Sequence, residues 1–113
     1  MRAPLRFDRW HPLAVAADNM PDRPGVFQLR LAEGLVDYPR GRSAMVGYGS
    51  AASLRRAVAA VAAARDGAPW LCRCTRDPVD DPPDALARLV ADFRDRFGEA
   101  PRPPRENDDV AAG

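Results

Sequence analysis

The stretch AMVGYGSAASLRRAV, residues 44–58, holds two glycines, a run of small and hydroxyl residues and an arginine pair. Met45 and Val46 form the apolar centre of a short strand, SAMVGYG, over residues 43–49. From about Ala51 to Arg65 the pattern changes. Leu54, Val58, Val61 and Ala62 recur at i, i+4, i+7 and i+8, which puts an apolar stripe on one side of a helix. Ser50 or Ser53 can cap its start and Gly67 its end. A strand that turns through glycine into a helix raises a chemical question, because backbone N–H groups at a helix start can cradle a phosphate. The stretch lacks the Gly-Lys-Ser/Thr ending of a P-loop and the G-x-G-x-x-G spacing of a dinucleotide turn. A turn that uses glycine for backbone freedom is the leading reading, and an anion site is the alternative.

Before this stretch, Pro24-Gly25 marks a turn and VFQLRL follows. Alternation sets Phe27, Leu29 and Leu31 on one face and Gln28 and Arg30 on the other, the pattern of a half-buried strand. AEGLVDYPRGR reads as a connection, and the two strands it joins are expected to pair antiparallel. After the helix, PWLCRCT reads as a third strand with Trp70, Cys72 and Cys74 on one face. DPVDDPPD then launches a second helix, with Asp81 as N-cap, Pro82 in the first turn and Asp84 at the positive end. Leu86, Leu89, Val90, Phe93 and Phe97 repeat at helical spacing until Gly98.

Residues 1–20 are expected to form an arm with a short helix in HPLAVAADNM, residues 21–99 a single domain, and residues 100–113 a disordered tail rich in proline and charge. The order (α)-β-β-α-β-α predicts an α/β (α+β) fold, a small three-stranded mixed or antiparallel sheet with flanking helices.

The 113 residues allow one small core. Net charge is +1, which excludes a protein that coats nucleic acid by bulk charge. All 17 residues counted as Lys or Arg are arginine, the mark of a GC-rich coding sequence. Cys72 and Cys74 are too close along one strand for an unstrained disulfide and are expected to be buried and reduced, in keeping with a cytoplasmic protein. No secretory leader or membrane span is expected. His11 has no recognisable catalytic partner, and no metal site is predicted. Trp10 and Trp70 read as packing residues.

The element order and two local patterns resemble the GIY-YIG nuclease superfamily. PGVF, residues 24–27, is similar to the family's Pro-Gly-(Ile/Val)-Tyr opening, with Gly25 and Phe27 in motif positions. MVG, residues 45–47, is similar to its Tyr-(Ile/Val)-Gly, with Met45 and Gly47 in motif positions. SLRRAV stands where the family has its Leu-x-x-Arg helix, and the helix ending FRDRFGEAP resembles its last. The resemblance covers roughly residues 20–101. It implies phosphodiester hydrolysis with one divalent ion, Mg²⁺ or Mn²⁺, assisted by a tyrosine, an arginine and a metal-binding glutamate. Position by position, the first-motif tyrosine falls on Phe27, the second-motif tyrosine on Met45, the arginine on Ala57 and the glutamate on Leu86. Four apolar replacements point to a fold kept after its catalytic groups were lost.

Three functions stay open at this point. The first is a non-cleaving domain that binds nucleic acid through Arg55 and Arg56, with Arg42 and Arg73 as neighbours. The second is a divergent metal-dependent endonuclease in which Tyr48, Arg56 and Asp84 take over the lost roles. By alternation Tyr48 points away from Met45, on the opposite face. The third is a module that binds a protein partner. A membrane role is not expected.

Overall fold

A computed structural model describes residues 4–105. Along the chain these fold as β1 (His11–Pro12), α1 (Leu13–Ala16) continued by a 3₁₀ turn (Ala17–Asn19), β2 (Gly25–Leu31), β3 (Val36–Tyr38), β4 (Gly41–Ser43), β5 (Met45–Ala51), α2 (Leu54–Ala64), β6 (Trp70–Cys74) and α3 (Pro82–Phe97). The predicted strands and helices are all present within two or three residues. The sheet has four strands, in the order β1-β6-β2-β5, and every pairing is antiparallel. That settles the expectation of a mixed or antiparallel sheet and adds a fourth strand, because the two residues of β1 pair with Cys72 and Leu71 of β6.

β2 runs down the middle, and its two faces differ in chemistry. Phe27, Leu29 and Leu31 line up with Cys74, Cys72 and Trp70 of β6 on the first face. α2 lies over this face. Leu54 at its start fills the space beside Gly25, where a Cβ would fall 2.6 Å from Leu54 Cδ1, and Arg65 at its end stacks 5.1 Å from the Trp70 ring. Leu13, Ala16 and Met20 complete this half of the core.

The second face carries Gln28 and Arg30. α3 covers the β5 side of it, where Phe93 meets the Tyr48 ring edge-on at 5.9 Å. Gln28 is only 5% exposed, so β2 is buried on both faces rather than half-buried. The N-terminal arm contributes to that burial. Asp8 N–H donates to the Cys74 carbonyl at 2.8 Å and Arg76 N–H to the Arg6 carbonyl at 2.8 Å, so the arm extends the sheet beyond β6.

The connection between β2 and β5 contains a hairpin, β3–β4, with Val36 and Tyr38 buried. Arg40 ties this hairpin to the end of α3. Its backbone N–H donates to the Phe97 carbonyl at 2.9 Å, and its guanidinium to the Arg94 and Asp95 carbonyls at 3.0 and 2.7 Å. They lie in the last turn of the helix, where the Arg94 carbonyl also accepts the capping Gly98 N–H at 2.8 Å. Residues 100–105 lie in the predicted tail, yet Arg102 is held against β3. Its N–H donates to the Tyr38 hydroxyl at 3.2 Å and its guanidinium to the Asp37 carbonyl at 2.9 Å. The remainder of the tail, 106–113, and the first three residues of the arm lie outside the described residues. Among the described residues no helix is long and apolar enough to cross a membrane.

Candidate nucleic-acid interface

The opening stretch settles first. Gly47 and Gly49 sit inside β5, not in a turn, and neither has a positive φ. Gly49 is there for space. A Cβ at that position would stand 2.2 Å from the Phe27 ring, which crosses over it. The helix begins at Leu54, and its first N–H groups are all occupied. Leu54 and Arg55 donate to the Arg23 and Pro21 carbonyls at 3.0 and 3.2 Å, Arg56 to Ser53 Oγ at 3.3 Å, and Ala57 to the Ser53 carbonyl at 3.0 Å. The start of α2 therefore has no free donors to cradle a phosphate, and backbone freedom is not what the strand glycines provide.

The motif positions pack. Phe27 is buried, and Met45 and Ala57 lie against the core. β2 and β5 pair with one irregularity: Leu29 faces Gly47 but Arg30 faces Met45, so Val46 is an extra residue in a bulge. The bulge breaks the alternation argument. Tyr48 is in register with Gln28 and Met45 with Arg30, two residues of one face of β2, so Tyr48 does not oppose Met45 as strict alternation predicts.

The predicted site residues scatter. Arg55 donates through Nε to the Met20 carbonyl at 2.9 Å and so fastens α2 to the 3₁₀ turn. Arg56 is exposed on the same helix. Arg42 pairs with Asp37 at 2.8 Å across the hairpin. Asp84 sits in the first turn of α3 and pairs with Arg88 at 3.3 Å. Tyr48 and Arg73 come together, one on each side of Gln28, on the face opposite α2. Tyr48 and Arg56 are thus separated by the sheet.

The metal that the resemblance implies finds no fitting donors. Leu86 stands at its glutamate position, the nearest acid is already ion-paired, and among the described residues no three His, Cys, Asp or Glu side chains gather in a metal-holding group.

Around Tyr48 and Arg73 the face is basic and aromatic. Arg73 Nε donates to Gln28 Oε1 at 2.7 Å. Its guanidinium lies 4.4 Å from the Trp10 ring centre and 4.9 Å from that of Phe7. Arg30 stacks on the same indole at 4.6 Å. Such stacking holds a planar guanidinium by its faces and leaves its edge free for hydrogen bonds. Burial, and then the neighbouring Arg30 charge, lower Arg73 from the ordinary arginine value. Burial pushes the Tyr48 phenol up to about 12, with Tyr38 adding to the rise, Arg73 opposing it and the Asp92 carboxylate adding a smaller rise. Near neutral pH the phenol keeps its proton and can donate a hydrogen bond but not accept a proton. The cluster can therefore offer hydrogen-bond donors to an anion.

Sequence reasoning reached Tyr48 and Arg73 but missed Arg30, Gln28, Phe7 and Trp10 as parts of this face. The alternation of β2 did place Gln28 and Arg30 together. What it lacked was the arm that brings the two rings over them.

Compared with protein-family models, curated proteins and solved structures, the chain matches none.

Proposed function

We propose that this chain is a GIY-YIG-like domain that has lost phosphodiester cleavage and binds nucleic acid through the basic, aromatic face of its sheet. The observation that carries the reading is the pair Arg30 and Arg73, two half-buried guanidiniums stacked on Trp10 with no carboxylate of the described residues in ion-pair contact. Protein cations in such a setting are usually matched by acids of the same chain, and here the place of the acid is open to a ligand.

Support for the lost chemistry comes from the residues that replace it. Phe27, Met45, Ala57 and Leu86 carry no group that can activate water or bind a metal. The relocated set Tyr48, Arg56 and Asp84 would have to meet in one cleft, since catalysis needs hydrogen-bond reach. Arg56 belongs to the helix on the far side of the sheet from Tyr48.

The test is an incubation with supercoiled plasmid and branched DNA in Mg²⁺ and in Mn²⁺, followed by native and denaturing gels of the same samples. The expected result is retarded but uncut DNA. Nicking that depends on the metal and is lost in Tyr48→Phe or Arg56→Ala would overturn the loss of catalysis. Absence of retardation at low salt would overturn binding.

A further inference from the structure

Arg30 and Arg73 are diagonal neighbours. Arg73 stands in register with Gln28, and Arg30 is two residues further along β2 on the same face. Their flat faces are occupied by Trp10, and for Arg73 by Phe7 as well. The edges remain. Arg73 commits only Nε, to Gln28. The Arg30 side chain makes no hydrogen bond to any described residue, and its Nε is shielded from water without a partner. Two adjacent positive charges repel in a half-buried setting, and an anion bound at their terminal nitrogens relieves the repulsion.

The geometry of the donors selects the anion. A carboxylate offers two oxygens in one plane, and a single guanidinium fork can saturate it. A phosphodiester carries its charge on two non-bridging oxygens, and each of two neighbouring guanidiniums can take one. We propose that Arg30 and Arg73 grip one phosphodiester of a nucleic-acid strand between them, with Trp10 and Phe7 holding the forks flat. This rests on the nucleic-acid reading above and gives it a location.

The probe is a labelled single-stranded oligonucleotide, titrated at several salt concentrations against the unaltered protein, Arg30→Gln, Arg73→Gln and Arg94→Ala. Arg94 is an exposed arginine on α3 and serves as the charge control. Each Gln variant is expected to weaken binding about tenfold. Each should also flatten the slope of log affinity against log salt, by no more than the roughly 0.7 that the one shared phosphate contributes on a single strand. Arg94→Ala should stay within about twofold. Gln variants that bind like the unaltered protein would overturn the clamp and leave the nucleic-acid reading standing. Absence of any salt-dependent binding would overturn both.

A direct readout in the unaltered protein covers the case of a variant that does not fold. The arginine Nε–H resonances of residues 30 and 73 should shift on adding the oligonucleotide, and unshifted resonances during saturable binding would overturn the clamp. Inorganic phosphate is the competing arm. If it shifts both resonances and binds as tightly as the oligonucleotide, the site serves a free phosphate and the strand assignment falls.

Discussion

Gly49 shows how one missing methyl group shapes this sheet. The Phe27 ring lies where a Cβ on residue 49 would be, with ring atoms at 2.2–2.8 Å from that point. Gly49→Ala is therefore expected to destabilise the protein by about 1–3 kcal/mol through overpacking. At Gly47 the nearest atom to an added Cβ is Leu29 Cδ1 at 3.4 Å, a tolerable contact. Gly47→Ala should leave stability within about 1 kcal/mol. Urea melts of the two variants check this, and equal losses would contradict the role given to Phe27. A second residue-scale prediction concerns Cys72, fully buried on β6. Burial, and then Cys74, push its thiol from an ordinary 9.0 up to about 12. The unfolded chain releases this proton first, so the thiol's effect on stability is absent below 9.0 and stability falls as pH climbs toward about 12. Urea melts on either side of 9.0, with Cys72→Ala for comparison, should show a slope that the variant reduces. Thiol reagents should label the native protein far more slowly than the denatured one.

Among the elements, the β3–β4 hairpin holds the fold's second half together. The Tyr38 hydroxyl donates to the Met45 carbonyl at 2.6 Å, and the ring packs edge-on to Phe93 at 5.0 Å. Tyr38→Phe keeps the packing and removes the hydroxyl, so a loss of about 0.5–1.5 kcal/mol is expected, read by thermal or urea unfolding. An unchanged midpoint would mean that the ring alone anchors the hairpin. This element was not legible in the sequence. Val36-Asp37-Tyr38 alternates, but three residues are too few for a period to stand out. The long elements were legible. The caps Ser53 and Asp81 both accept N–H bonds as predicted, from Arg56 at 3.3 Å and Asp84 at 3.1 Å, and Leu54, Val58 and Phe93 all point into the core. The arm was not legible, because residues 6–8 join β6 by backbone bonds that any sequence can make. The bulge at Val46 was hidden for a related reason. A one-residue shift leaves no trace in a seven-residue strand, yet it moves Met45 and Tyr48 relative to each other.

For the whole molecule, the sheet divides two kinds of surface. α2 seals one face with Leu54 and Val58. α3 and the arm share the other, and the arginines lie between them on β2 and β6. Of the basic groups that sequence pointed to, Arg55 and Arg56 stand on the sealed side, where Arg55 is already engaged with Met20, Arg42 is on the hairpin, and Arg73 alone belongs to the other face. With a net charge of only +1, the proposed attraction to nucleic acid would have to come from a local cluster and not from the molecule as a whole. That sets a quantitative expectation, because the number of phosphates engaged fixes the salt dependence. A local clamp releases few counterions, and each phosphate neutralised on a single strand contributes a slope of about −0.7.

Fluorescence anisotropy of a labelled single-stranded oligonucleotide across a salt series, with Mg²⁺ present and the strand's integrity checked afterwards, reads binding and cleavage in one experiment. The account predicts saturable binding to an intact strand, with a log–log slope of about −1 to −3, the mark of a few phosphate contacts. Binding that ignores salt, no binding at the lowest salt, or a strand cut in a metal-dependent way would contradict it.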